Sequence, residues 1–342
     1  MKIEKIKIFL LLFLALWLSN ACNHTPNSTQ DTQTPTSQKV TIKRFDRAIN
    51  TLTEGNFDQN TKTLAQKYPE LYPIYVQIVP QMSQDTSLDA NLKLFVKNPY
   101  IKTIFGDVDS VFSDVWLLET QFQNAFERYN TIFPNQPLPQ IVALVSTFQQ
   151  QNVQMLDQTL YVPLDMFLGR QYPFYKTIPN VSAYQIKRFE ANQILPNSIR
   201  EWIKPAVLPS KNGNLLGEMI YHGKIIYLTK QILPQVSDSL LLHFTAAQIQ
   251  WANANEGQIW ASVIENQTLY SIDKLNIAKY INDAPFMSGF PNAAPPMLGR
   301  WIGFQIVKKY IEKTNADPKT LLLQTDEQKI LTQSGYKPKI NP

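Results

Sequence analysis

Apolar and polar positions divide the chain into stretches of different texture. Lys2, Lys5 and Lys7 precede an unbroken apolar run from Ile8 to Leu18. Residues 23–38 are nearly all Asn, Thr, Ser, Gln and Pro. From 46 to 130 the apolar positions recur every three or four residues, as in Ala48 to Leu52, Leu64 to Leu71 and Trp116 to Tyr129. That period predicts amphipathic helices. Pro69, Pro73, Pro80 and Pro99 cut them short, because proline clashes with the preceding turn. Ile141 to Val145 and Thr159 to Val162 are partly β-branched runs bounded by Pro and polar residues, which predicts strands of a small sheet. Leu164 to Gly169 closes that region. Helical spacing returns from Ser198, with Trp202, Ile225, Leu228, Ile249, Ile259, Val263, Ile302, Ile306 and Tyr310 on buried faces. The expected fold is mainly α (α+β), a helical domain with a small sheet.

The first stretch reads as a secretory signal peptide over residues 1–21. Its apolar run falls short of the about 20 residues that span a bilayer core. Ser19-Asn20-Ala21 places small residues before Cys22, the sole cysteine, which marks a lipoprotein processing site. Leu18 lies four residues before it rather than the usual three. The competing reading is an ordinary cleaved signal that leaves a spare thiol. On the first reading residues 22–39 are a lipidated, flexible tether, since so polar a stretch cannot bury enough surface to fold. Residues 40–342 then form one globular domain, stabilised by its core because no second cysteine permits a disulfide within the chain. The net charge of +5 is unclustered, which gives no footprint for nucleic acid.

Exported domains of this size are often hydrolases, yet their usual constellations are missing. There is no G-x-S-x-G elbow and no glycine-rich phosphate loop. The three histidines are His24, in the tether, His222 and His243. The stretch that invites chemistry is the helix expected over 215–230. A zinc-protease helix reads H-E-x-x-H, with two imidazoles one turn apart and a glutamate to activate water. The corresponding residues here are Gly217, Glu218, Met219, Ile220 and Tyr221. The glutamate is kept and both ligands are lost. His222 stands one residue late, about 100° around the helix. Asn255-Glu256-Gly257 resembles the later helix that supplies a carboxylate ligand in such enzymes. Three readings stay open: a zincin-like frame with a decayed metal helix, an ordinary polar helix face, and an atypical metal site of Glu218, His222 and Glu256, with His243 as a further candidate. The last would make an atypical metal-dependent hydrolase.

Further stretches carry a resemblance that runs through nearly the whole chain. They are Ile42-Lys43-Arg44-Phe45-Asp46, Tyr68-Pro69, Leu164 to Gly169, Met219 to Lys224, Leu233-Pro234, Gln250-Trp251, Asn255-Glu256, Ile259-Trp260, Leu269-Tyr270-Ser271, Ala284-Pro285-Phe286, Gly299 to Val307 and Ser334 to Lys339. In this order and spacing the chain resembles the gliding motility lipoprotein family GldB. The resemblance implies a cell-envelope lipoprotein required for bacterial gliding, in machinery associated with protein secretion. It also implies kinship with predicted zinc peptidases.

The expected role is therefore a non-catalytic scaffold or docking protein, with no metal and no cofactor beyond the lipid on Cys22. Its expected partners are the membrane, reached through that lipid, and other gliding-machinery proteins. It would face the periplasm from the inner or the outer membrane. Trp251, Trp260 and Trp301 are expected in the core. Gly299 and Gly303 suggest close helix packing, Arg300 a partner for Glu256 or Glu218, and Asp165 a helix cap.

Overall fold

The computed structural model describes residues 39–79 and 87–340, within one compact unit, Lys39–Pro342. The signal segment, Cys22, the tether and His24 lie outside the described residues. The chain enters through β1 (Ile42–Arg44) and passes into helices α1 (Phe45–Asn50), α2 (Phe57–Lys67), α3 (Leu71–Ile78), α4 (Leu88–Lys97), α5 (Pro99–Val111) and α6 (Trp116–Ile132). Strands β2 (Gln140–Leu144), β3 (Gln154–Leu156) and β4 (Thr159–Pro163) follow. The remainder is helical: α7 (Ile194–Ile203), α8 (Leu215–Ile232), α9 (Asp238–Leu242), α10 (Ala246–Ala254), α11 (Glu256–Glu265), α12 (Lys274–Ile281), α13 (Leu298–Thr314) and α14 (Glu327–Ser334). The molecule is thus mostly helical with one small sheet, as the periodicity predicts.

Among the described residues the sheet has the order β1-β2-β4-β3. β1, β2 and β4 run parallel, with Ile42 opposite Ile141 and Ile141 opposite Leu160, and β3 is antiparallel to β4. Ile141 to Leu144 are all buried, a continuous apolar run rather than an alternating one. That is the pattern of parallel strands covered on both faces. Strand β1 escapes the sequence reading because three residues show too little alternation to register.

Asp165 does not cap a helix. It is fully buried beside the end of β2, where its carboxylate accepts hydrogen bonds from the Ser146 and Phe148 backbone N–H groups, at 2.9 and 2.7 Å, and from the Ser146 hydroxyl. The residue that begins this short 3-10 turn is Pro163, which leaves the carboxylate free to reach back to the strand loop. Burial pushes its pKa up to about 6, against the lowering pull of those donors.

Helix α8 is buried almost all round, from Leu215 and Leu216 through Met219, Ile220 and Leu228 to Ile232. An apolar surface on every side makes a helix the centre of a domain. The Asn214 side chain caps it by accepting from Gly217 N–H at 2.8 Å, and Leu233-Pro234 follows its end. Buried Lys224 donates to the carbonyls of Leu208 and Gln324, at 2.7 and 2.8 Å, tying the flanking loops to the helix.

The most extensive helix contact is between α8 and α13. At their crossing a Cβ on Gly223 would strike the Gly303 carbonyl group, and one on Gly303 would strike the Met219 carbonyl oxygen. Gly299 presses in the same way on Tyr280 of α12. Close packing is thus the role of both glycines. Trp301 is core, whereas Trp251 and Trp260 are only half-buried and lie against it, next to Phe290 and Tyr336.

Gly303→Ala is expected to destabilise the fold by more than about 3 kcal/mol, because the obstacle is backbone and cannot rotate aside. Gly106→Ala, where a Cβ meets open space, should change stability little or favour it. Urea unfolding of both variants beside the parent checks this.

Candidate functional site

The crossing of α8 and α13 places His222, next to Gly223, near Arg300, three residues before Gly303. Around them α7 contributes Asn197, Arg200 and Glu201 from one face, at the three- and four-residue spacing of a helix. Lys204 follows one turn later. The loops add Arg188, His243 and Asp283. Together these side chains line a cavity of about 390 Å³, closed on its apolar side by residues that include Ile225 and Ile226.

Four cations face two carboxylates in this cavity. Arg188 forms a two-pronged ion pair with Asp283 at 2.6 and 2.9 Å, and Lys204 reaches Glu201 at 3.4 Å. Arg200 and Arg300 form no ion pair among the described residues. Arg300 donates from Nε to the Ile281 carbonyl at 2.7 Å. Arg200 donates to the Leu241 carbonyl and approaches His243 Nε2 at 3.3 Å. Because a guanidinium only donates, His243 Nε2 must be the acceptor, which puts the imidazole proton on Nδ1. His243 also sits at φ +59°, a left-handed conformation that closes the end of α9 and turns the ring toward the cavity lining.

The electrostatics follow from this crowding. Burial, then Arg300, Lys204 and Arg200, pushes the His222 pKa down to about 3. His243 falls well below its usual range through burial, then Arg200, Arg188 and Arg300. Arg200 is pushed down to about 10 by burial and by Arg300, and remains charged at neutral pH. The Glu218 carboxyl is raised by burial, and Arg300 partly offsets this.

The sequence-derived residues do not come together. Glu218 Oε2 and His222 Nε2 share a face but stand 3.9 Å apart, beyond hydrogen-bond distance. Gly217 is spent on the cap of α8, and Tyr221 packs edge-on to the His222 ring at 5.4 Å. Glu256 accepts from the Tyr336 hydroxyl at 2.8 Å, beneath the C-terminal segment that also presses on Gly257. Glu256 is therefore no partner for Arg300, whose nearest influence among the two expected carboxylates is the coulombic one on Glu218. Among the described residues no three His, Cys, Asp or Glu side chains converge to hold a metal ion. A divalent ion beside His222 would also meet the four cations. The donor set does not fit zinc.

Arg188, Arg200, Lys204 and Asp283 are absent from the sequence reading. They left no trace in it, since they meet only in the folded chain.

A family model described as gliding motility protein GldB matches residues 25–338. No curated protein and no solved structure matches the chain. Among the described residues, no helix is long and apolar enough to cross a membrane.

A histidine with a depressed pKa is neutral in the folded protein and charged in the unfolded chain below about pH 6.5. Its contribution to stability is present above that pH and is lost as pH falls toward about 3. Asp165, raised, acts in the opposite direction between about pH 4 and 6. The difference between parent and His222→Gln isolates the histidine: the variant should lose about 1.4 kcal/mol less per pH unit below pH 6. Urea unfolding at pH 7, 6 and 5 measures this. In the parent, the His222 imidazole resonances should show no titration between pH 5 and 8.

Proposed function

Because the chain belongs to the gliding motility protein GldB family, we propose that it serves the gliding machinery as a lipid-anchored, non-catalytic docking component. The family itself ties the chain to gliding motility and to the cell envelope. The finer reading is that lipid on Cys22 holds the protein to the membrane, facing the periplasm. The polar tether lets the domain reach its partners. The domain is a zincin-like frame whose metal helix has lost its ligands, and the cavity beside His222 receives a segment of another machinery protein.

One observation carries this reading. Where a hydrolase would gather ligands for a metal, this cavity gathers cations, and the glutamate that would activate water has no imidazole within hydrogen-bond distance. This supports a groove that holds chain without cutting it.

Two outcomes are expected in cells whose own copy has been replaced. Glu218→Gln should glide like the parent, while Asn152→Trp, a bulky residue at the exposed mouth of the cavity, should stop gliding at unchanged protein level. Gliding lost on Glu218→Gln in a folded protein would instead support the metal-dependent hydrolase.

Cys22→Ser should abolish incorporation of labelled fatty acid and move the protein from the membrane to the soluble fraction. Continued membrane retention would argue against the lipid anchor.

A further inference from the structure

Resting on the docking reading, we propose that the cavity is a binding site for the C-terminal carboxylate of a peptide. Arg200 and Arg300 both line it and neither makes an ion pair among the described residues, although Asp283 and Glu218 act on Arg300 from a distance and Glu201 on Arg200. Four cations against two carboxylates leave the lining with an excess of positive charge, and holding such charge away from water without a full counter-charge is costly, which calls for an anion. Their geometry is set in advance. Arg300 is held through Nε by the Ile281 carbonyl, which leaves its terminal nitrogens for a ligand. Arg200 is held through its terminal nitrogens by Leu241 and His243, and its Nε is buried with no partner. Planar guanidinium groups match a planar carboxylate in paired, charge-assisted hydrogen bonds.

A second orphan narrows the ligand. Asn197, buried on the wall of the cavity, has a side-chain oxygen without a donor. An acceptor beside an anion site favours a ligand that carries a donor, such as an N–H, next to its negative charge. The last residue of a peptide carries an N–H two bonds from its carboxylate carbon, so one residue can offer an anion to the terminal nitrogens of Arg300 and a donor to the wall that carries Asn197. Ile225 and Ile226 give that last residue an apolar wall, and about 390 Å³ suits a small end group rather than a folded surface. His222 and His243, neutral as they are, leave the positive field to the arginines.

Titration calorimetry of the full chain in detergent tests this with three probes: N-acetyl-glycyl-leucine, its C-terminal amide, and inorganic phosphate. The free acid should bind at least ~10-fold more tightly than the amide, and Arg300→Gln should weaken it by ~10–100-fold, the range expected for lost charge-assisted bonds. Lys204→Gln, whose parent side chain is half exposed at the rim, should weaken it only a few-fold and guards against misfolding of the more buried variant. Equal binding of acid and amide, binding of phosphate alone, or no binding of either peptide would each overturn the proposal. The docking reading stands or falls separately. If the acid binds and Arg300→Gln cells still glide, the carboxylate site holds and docking there fails. If neither peptide binds while Asn152→Trp still stops gliding, docking holds and the carboxylate site fails.

Discussion

The contact between Gly223 and Gly303 is the constraint on which the rest depends. Two helices that touch through backbone must have no side chain at the crossing, and here each glycine faces peptide atoms of the other helix. Such a contact permits almost no sliding, because protein interiors are packed as densely as crystals. It fixes in register whatever stands beside the glycines. On one helix that is His222, on the other Arg300. Most of the remaining members of the cavity come from α7, which packs on α8, and from the ends of α9 and α12, with Arg188 and Asn152 added by other loops.

The crossing also explains the charge state of the cavity. Depressed histidines and a depressed arginine share two causes, loss of water and the neighbouring cations. For Arg200, charged in both states at neutral pH, the shift is a cost relative to the unfolded chain, whereas the histidines, neutral in both, carry that cost only below about pH 6.5. A fold that needed only stability would replace such groups with apolar ones of similar size, often at a gain. Clusters of this kind mark sites where charge is kept for use. Lys224 offers a contrast within the same helix. It too is buried, with its pKa pushed down to about 8, yet it donates to two backbone carbonyls and ties down two loops. Its cost has a structural return, whereas the Nε of Arg200 and the terminal nitrogens of Arg300 find none among the described residues.

How much of this can be read from the sequence depends on how local each feature is. The helices are legible because apolar spacing is a property of a few adjacent turns, and α8 covers the expected 215–230 with two residues more. The parallel strands β2 and β4 are legible as continuous apolar runs, but β1 is too short to show one. The packing role of Gly299 and Gly303 is legible from their spacing, although the partner Gly223 is not. The site is hardly legible at all. Comparison with a metal-binding helix draws attention to Glu218 and His222, which do share a face, and then to Glu256, which the C-terminal segment has claimed through Tyr336. The arginines that set the electrostatics lie on three separate elements, and no period in the chain links Arg188, Arg200 and Arg300. Asp165 shows the same limit on a smaller scale. Its position before a turn suggests a cap, while its donors come from a strand end nineteen residues earlier.

On the docking reading, the loss of metal ligands and the gathering of arginines are one change rather than two. In a metal-dependent hydrolase the ion does two things: it supplies positive charge to an oxygen of the bound chain, and it activates water. Guanidinium groups can take over the first task and not the second. A cavity that exchanges the ion for arginines therefore keeps its attraction for the oxygens of a peptide while losing the means to cleave it. The exchange would also bar the metal's return, since a divalent ion beside His222 would have to displace or neutralise cations fixed by the packing of α7, α8 and α13. On the same reading the glycine crossing, which leaves α8 and α13 no freedom to move apart, would make the exchange hard to reverse by any single substitution.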